Sequence, residues 1–93
     1  MLKAGLVGAG HLGKIHLKLL AQSEKYELVG FHDVDPDNGK KLEAEFGYRY
    51  FDDFDELLRH IDMLDIVTPT LYHYDYALKA IENRKHFFIE KPI

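Results

Sequence analysis

Lys3-Ala4-Gly5-Leu6-Val7-Gly8-Ala9-Gly10-His11-Leu12-Gly13, with Asp33 twenty positions after Gly13, is the stretch that decides the fold. Lys3 to Val7 is a short apolar run, the pattern of a strand buried on both faces. Gly8 to Gly13 breaks it. Helical spacing then takes over, with Ile15, Leu19 and Leu20 expected on one face and Lys14, Lys18 and Gln22 elsewhere. Glu27 to His32 reads as a second strand, and Asp33 stands at its end.

A strand, a G-x-G-x-x-G turn, a helix and a carboxylate closing the next strand form a dinucleotide-binding arrangement. Each part has a mechanical reason. Gly8 permits the tight turn out of the strand, Gly10 lets a backbone approach a diphosphate, and Gly13 lets the helix pack closely on the strand. His11 and Leu12 complete the loop as cofactor-binding positions. The diphosphate would sit at the helix N-terminus, where free N–H groups and the positive dipole end favour anions. Asp33 can accept hydrogen bonds from ribose hydroxyls, and its charge would repel a 2′-phosphate. Asp35 adds a second negative charge, and no arginine follows within several residues. NAD is therefore the expected cofactor, with NADP less favoured.

The alternation of strand and helix continues to the end. Asp35-Pro36 reads as an N-cap with proline at the first helical position, opening a helix with Leu42, Ala44 and Phe46 that stops at Gly47. Tyr48 to Phe51 is a short third strand. Asp53 with Glu56 resembles a capping box ahead of Leu57, Leu58 and Ile61. Met63 to Val67 is the fourth strand, ended by Thr68-Pro69-Thr70. A helix from about Tyr72 to Asn83 places Tyr74, Ala77, Leu78 and Ile81 along one stripe, and His86 to Ile89 is the fifth strand. Strands joined by helical crossovers imply a parallel sheet. The expected fold class is α/β, a Rossmann-type three-layer fold with strand order 3-2-1-4-5. Residues 1–93 read as one dinucleotide-binding domain, incomplete because the chain stops just after the fifth strand.

Composition narrows the function. The formal net charge is −4 and the longest basic cluster is Arg84-Lys85-His86, which argues against nucleic acid. Without cysteine there is no disulfide framework, thiolate zinc site or cysteine nucleophile. No apolar run approaches the roughly 18–20 residues of a membrane span, and the glycine-rich segment begins too early for a signal peptide. A soluble, cytoplasmic protein is expected, with no membrane partner. The six histidines, at 11, 16, 32, 60, 73 and 86, show no paired i,i+4 spacing, so no metal site is expected. Tyr48, Tyr50, Phe51 and Phe54 read as packing groups. Asp52, Asp53 and Asp55 beside them are unsuited to a base-stacking platform.

The chain resembles the N-terminal domain of the glucose–fructose oxidoreductase, inositol dehydrogenase and rhizopine-catabolism (Gfo/Idh/MocA) family over essentially its whole length. The marks are Gly8-x-Gly10-x-x-Gly13-x-x-His16, Thr68-Pro69 followed by His73, and Glu90-Lys91-Pro92, the last being the most specific. The resemblance implies that Thr68, Pro69 and His73 border the cofactor and that Glu90 lies near the nicotinamide ribose. It implies that Lys91 reaches the substrate hydroxyl as a catalytic residue. A lysine beside a cationic nicotinamide could lose its proton more readily and then accept one from a hydroxyl. The implied activity is hydride transfer between a nicotinamide cofactor and a secondary alcohol of a sugar, polyol or related small molecule. The substrate domain of such an enzyme would be missing here, so the piece alone should bind cofactor without turnover. A non-catalytic dinucleotide-sensing module is the alternative, and a homo-oligomer is left open. Two departures stand out: threonine at Thr70 where the family often has asparagine, and Arg84 where it usually has glycine. If a left-handed residue ends that helix, Asn83 is expected to supply it.

Overall fold

Leu2–Val7 forms β1, and its burial explains its composition: Ala4 and Leu6 are fully buried in one core cluster and Val7 in another. A strand covered on both faces has no use for polar side chains. The computed structural model describes residues 2–68 and 70–89, with residues 11, 70–74, 88 and 89 described as backbone only. Along the chain follow α1 (His11–Gln22), β2 (Tyr26–His32), α2 (Pro36–Phe46), α3 (Phe54–His60), β3 (Met63–Ile66), α4 (Thr70–Glu82) and β4 (His86–Ile89). Every pairing is parallel and the order is β2-β1-β3-β4. The α/β Rossmann-like sheet is therefore present, with four strands among the described residues. None of the helices described is long and apolar enough to cross a membrane.

The expected third strand, Tyr48 to Phe51, is reduced to a single parallel bridge between Phe31 and Tyr50, on the outer side of β2. Phe31 N–H donates to the Arg49 carbonyl at 2.9 Å, and Phe51 N–H donates to the Phe31 carbonyl at 2.7 Å. The pairing has no room to lengthen. Gly47, left-handed at φ 80°, ends α2 just before it, and Asp53 caps α3 just after it. The outward-facing Tyr50 N–H donates to Glu43 Oε2 at 2.9 Å, so a side chain covers that edge. Asp35 and Asp53 are N-caps as expected, accepting from the N–H groups of Asp37 and Asp55, each at 3.0 Å, although the Asp53 bond goes to the second helical residue and not to Glu56 as a capping box would have it.

Two core clusters lie on the two faces of the sheet. One joins α1 and α2 to Leu6, Phe31 and Met63, and the other joins α3 to Val7, Leu64 and Ile66. The face that α1 presents differs from the one its leucine spacing suggests. Gly13 faces the sheet in close contact with the first loop, which sets the rotation of the whole helix. Leu17 and Leu20, at i+4 and i+7 from Gly13, are buried, and Ile15 and Leu19 are 45% and 60% exposed. In α4 the inward stripe is likewise shifted. Ala80 is buried, with Tyr76 and Ala77 packed on the same cluster, and Leu78 and Ile81 are exposed. The Tyr76 ring meets Phe54 of α3 edge-on at 4.8 Å, which holds α4 in that rotation.

The end of α4 also corrects an expectation. Arg84, not Asn83, takes the left-handed conformation, at φ 57°. Arg84 N–H donates to the Ile81 carbonyl at 3.0 Å and Lys85 N–H to the Ala80 carbonyl at 2.8 Å. These two bonds make a Schellman cap, whose left-handed position falls at residue 84. Asn83 is occupied otherwise, its side-chain amide donating to the Lys79 carbonyl at 2.8 Å. A non-glycine residue there is strained by roughly 1–2 kcal/mol. Arg84→Gly should therefore stabilise the fold by about 0.5–1 kcal/mol after the entropy of glycine is subtracted. Thermal unfolding checks this, with a rise of a few degrees expected.

Candidate functional site

Three strand ends meet at one edge of the sheet. Val7 stands beside His32 of β2 and Ile66 of β3 in register. Gly8 N–H donates to the His32 carbonyl at 3.0 Å, and Val67 N–H donates to the Val7 carbonyl at 2.9 Å. Gly8, Asp33 and Thr68, which follow these three strands closely, are thus gathered at their carboxyl ends. In open parallel sheets this is where ligands bind.

The glycines of the first loop have three different surroundings. Gly8 lies at φ 98°, and a Cβ there would stand 2.7 Å from the backbone nitrogen of Thr68. A Cβ on Gly13 would collide with the Gly8 carbonyl oxygen. A Cβ on Gly10 would meet nothing within 4 Å. Two glycines thus let parts of the protein close on each other, and the third faces open space. Gly10 is the N-cap of α1 and provides no side-chain cap. Lys14 N–H bonds back to the Gly10 carbonyl at 2.9 Å, so the N–H groups of His11, Leu12 and Gly13 have no partner within the helix. Open space in front of uncapped N–H groups suits an anion such as a diphosphate.

Asp33 follows β2 directly and is half-buried. Its Oδ2 accepts from Asn38 Nδ2 at 2.8 Å, and the same amide donates to the Ala9 carbonyl at 3.1 Å. The Asp33 carbonyl accepts from the Tyr50 hydroxyl at 3.2 Å. Burial, then the nearby charges of Asp52, Asp33 and Asp35, pushes the Tyr50 phenol above its ordinary range, which favours the protonated, donating form. From the sequence Tyr50 reads only as a packing group, and Asn38 is not singled out.

Thr68 is buried, with its backbone against Gly8. Leu12 is exposed on the first turn of α1. His16 Nδ1 lies 2.7 Å from Asp65 Oδ2, beneath α1. This pairing gives His16 a packing role between α1 and β3. The side chains of His11 and His73 lie outside the described residues, as do Pro69, Glu90 and Lys91 altogether. Among the described residues, no three His, Cys, Asp or Glu side chains form a group able to hold a metal ion.

Residues 2–93 match the family model described as an oxidoreductase family with an NAD-binding Rossmann fold. The chain belongs to the Gfo/Idh/MocA oxidoreductase family. It is 33% identical over 93 residues to the glucose-6-phosphate 3-dehydrogenase of Bacillus subtilis, covering 100% of this chain and 27% of that protein. The crystal structure of the UDP-N-acetylglucosamine 3-dehydrogenase of Acidithiobacillus ferrooxidans superimposes with a TM-score of 0.89 at 35% identity, covering 98% of this chain and 29% of that one. GenD2 from gentamicin A biosynthesis, solved in complex with NAD, superimposes with a TM-score of 0.87 at 28% identity, covering 98% and 27%. The chain thus spans less than a third of the length of these relatives, the part that corresponds to their NAD-binding domain.

Proposed function

We propose that residues 1–93 form a dinucleotide-binding domain that takes NAD in preference to NADP. It would serve hydride transfer to or from a secondary alcohol of a sugar, polyol or related small molecule. One juxtaposition carries this reading: the Gly8–Gly13 loop, open in front of Gly10, lies at the same sheet edge as the Asp33 carboxylate. The loop and the first turn of α1 would hold the diphosphate, and Asp33 the adenine-side ribose. NAD supplies the hydride acceptor when bound. Thr68, Pro69, His73 and Glu90 would border it, and Lys91 would hold or accept the hydroxyl proton of the substrate. Support comes from the family, whose relatives include sugar and inositol dehydrogenases. One solved relative was captured with NAD. A cytoplasmic location belongs to the same proposal, which leaves the oligomeric state open.

Calorimetric titration of the chain with NAD and NADP is the test. Saturable NAD binding is expected, tighter than NADP. Asp33→Ala should weaken NAD by about 10-fold or more, the loss of hydrogen bonds to a charged acceptor. NADP should gain relative to NAD in that variant, because the repelling carboxylate is gone. Equal or tighter NADP binding by the unmodified chain would overturn the assignment of Asp33.

A further inference from the structure

Asn38 has both of its contacts through one amide nitrogen, to a carboxylate oxygen of Asp33 at 2.8 Å and to the Ala9 carbonyl oxygen at 3.1 Å. Both partners are acceptors, so only the NH₂ group can serve them, and its two hydrogens are enough for the two bonds. The orientation of the amide is therefore set by chemistry. Asn38 is half-buried on the first turns of α2, and the helix start is itself fixed by Asp35 and Pro36. On the far side, the Tyr50 hydroxyl holds the backbone carbonyl of Asp33 at 3.2 Å. The aspartate is thus gripped at its main chain and at one carboxylate oxygen.

We propose that Asn38 is a positioning residue that sets ribose recognition and cofactor choice. By holding Asp33 Oδ2 it leaves the other oxygen, Oδ1, to face the ribose hydroxyls, and by holding the Ala9 carbonyl it ties that carboxylate to the diphosphate loop. A carboxylate held by one donor loses less rotamer freedom when ribose binds than one that swings freely. A fixed carboxylate also rejects a 2′-phosphate better, because it cannot turn away from the added charge. The inference rests on the reading of Asp33 as the ribose acceptor and extends it to a neighbour that never needs to touch the cofactor.

The experiment is a double-mutant cycle on Asp33 and Asn38, read by NAD and NADP titration with thermal unfolding alongside. Asn38→Ala should weaken NAD by about 10-fold and narrow the NAD-over-NADP ratio. Asn38→Asp has almost the same shape but replaces the donor by a like charge beside Asp33, and should weaken NAD further. In an Asp33→Ala background, Asn38→Ala should change NAD affinity by no more than about two-fold, because the group it positions is absent. An equal loss in both backgrounds would show a purely structural role and overturn the inference, as would Asn38→Ala binding NAD normally. Either result leaves the ribose reading intact if Asp33→Ala alone still weakens NAD. If the unmodified chain binds no NAD, or Asp33→Ala has no effect, the ribose reading falls and this inference falls with it.

Discussion

Gly13→Ala should lower the stability of the domain by about 2–3 kcal/mol, whereas Gly10→Ala, three residues away in the same motif, should leave it nearly unchanged. The added methyl of Gly13→Ala would be driven into the Gly8 carbonyl oxygen and would stand 3.0 Å from the carbonyl carbon. These are backbone atoms, and Gly8 is held at its other end by its N–H bond to the His32 carbonyl. The clash is relieved only by moving α1 off the sheet, which loosens the buried contacts of Leu17 and Leu20. Alanine is the better helix former by about 1 kcal/mol, and that gain is already subtracted. For a domain of this size the net loss corresponds to about 10–20 °C in melting temperature. Gly10 has φ −76° and nothing within 4 Å of its would-be Cβ, so alanine fits there without strain. The Gly10→Ala methyl occupies the space assigned to the diphosphate. It should therefore impair dinucleotide binding in a chain that melts normally. Thermal unfolding with NAD titration separates the two variants, and equal melting of both would contradict the geometry.

The motif glycines were readable because each answers to a single local cause: a turn, an approach to a ligand, a close packing. The identity of the elements was readable too, since strong punctuation at Asp35-Pro36, Gly47 and Asp53 marks where helices begin and end. The rotation of the helices was not. In α1 the apolar residues Ile15, Leu17, Leu19 and Leu20 spread over more than half of the helix circumference, so hydrophobicity alone does not choose a face. The choice is made by Gly13, which lets the helix close on the first loop. The third strand shrank for a tertiary reason as well. Tyr48–Phe51 has strand-like residues, but the helix-ending and helix-starting devices on either side leave only Tyr50 to bridge β2. Asn38 illustrates a third limit. Nothing in a single sequence distinguishes an asparagine that merely starts a helix from one that holds a carboxylate, until the fold brings Ala9 and Asp33 to it.

His16→Ala should cost about 2–3 kcal/mol, an effect comparable to Gly13→Ala and reached by a different route. Asp65 is a buried carboxylate in the middle of β3, on the face that α1 covers, and His16 meets its Oδ2 at 2.7 Å. Removing one partner of a buried polar pair leaves the other with its desolvation cost and without that bond, which is why such deletions exceed the net value of the pair. Asp65 has further interactions, so the loss falls short of the 3–5 kcal/mol typical of a wholly uncompensated charge. The pair itself adds little to stability over an apolar filling. His16→Leu combined with Asp65→Val should accordingly recover much of the loss that each change causes alone, a coupling of about 1–2 kcal/mol in a denaturant-unfolding cycle. Strict additivity would mean that the two side chains act independently and that the contact is energetically idle. The pair also bears on the site. It fastens the second turn of α1 to β3, the strand that leads into Thr68, while Gly13 fastens the first turn to the strand that leads into Gly8. Two anchors on neighbouring strands hold the helix N-terminus over the loop. A chain that keeps its fold after His16→Ala should therefore also bind NAD more weakly, although the His16 side chain is held by Asp65 beneath the helix.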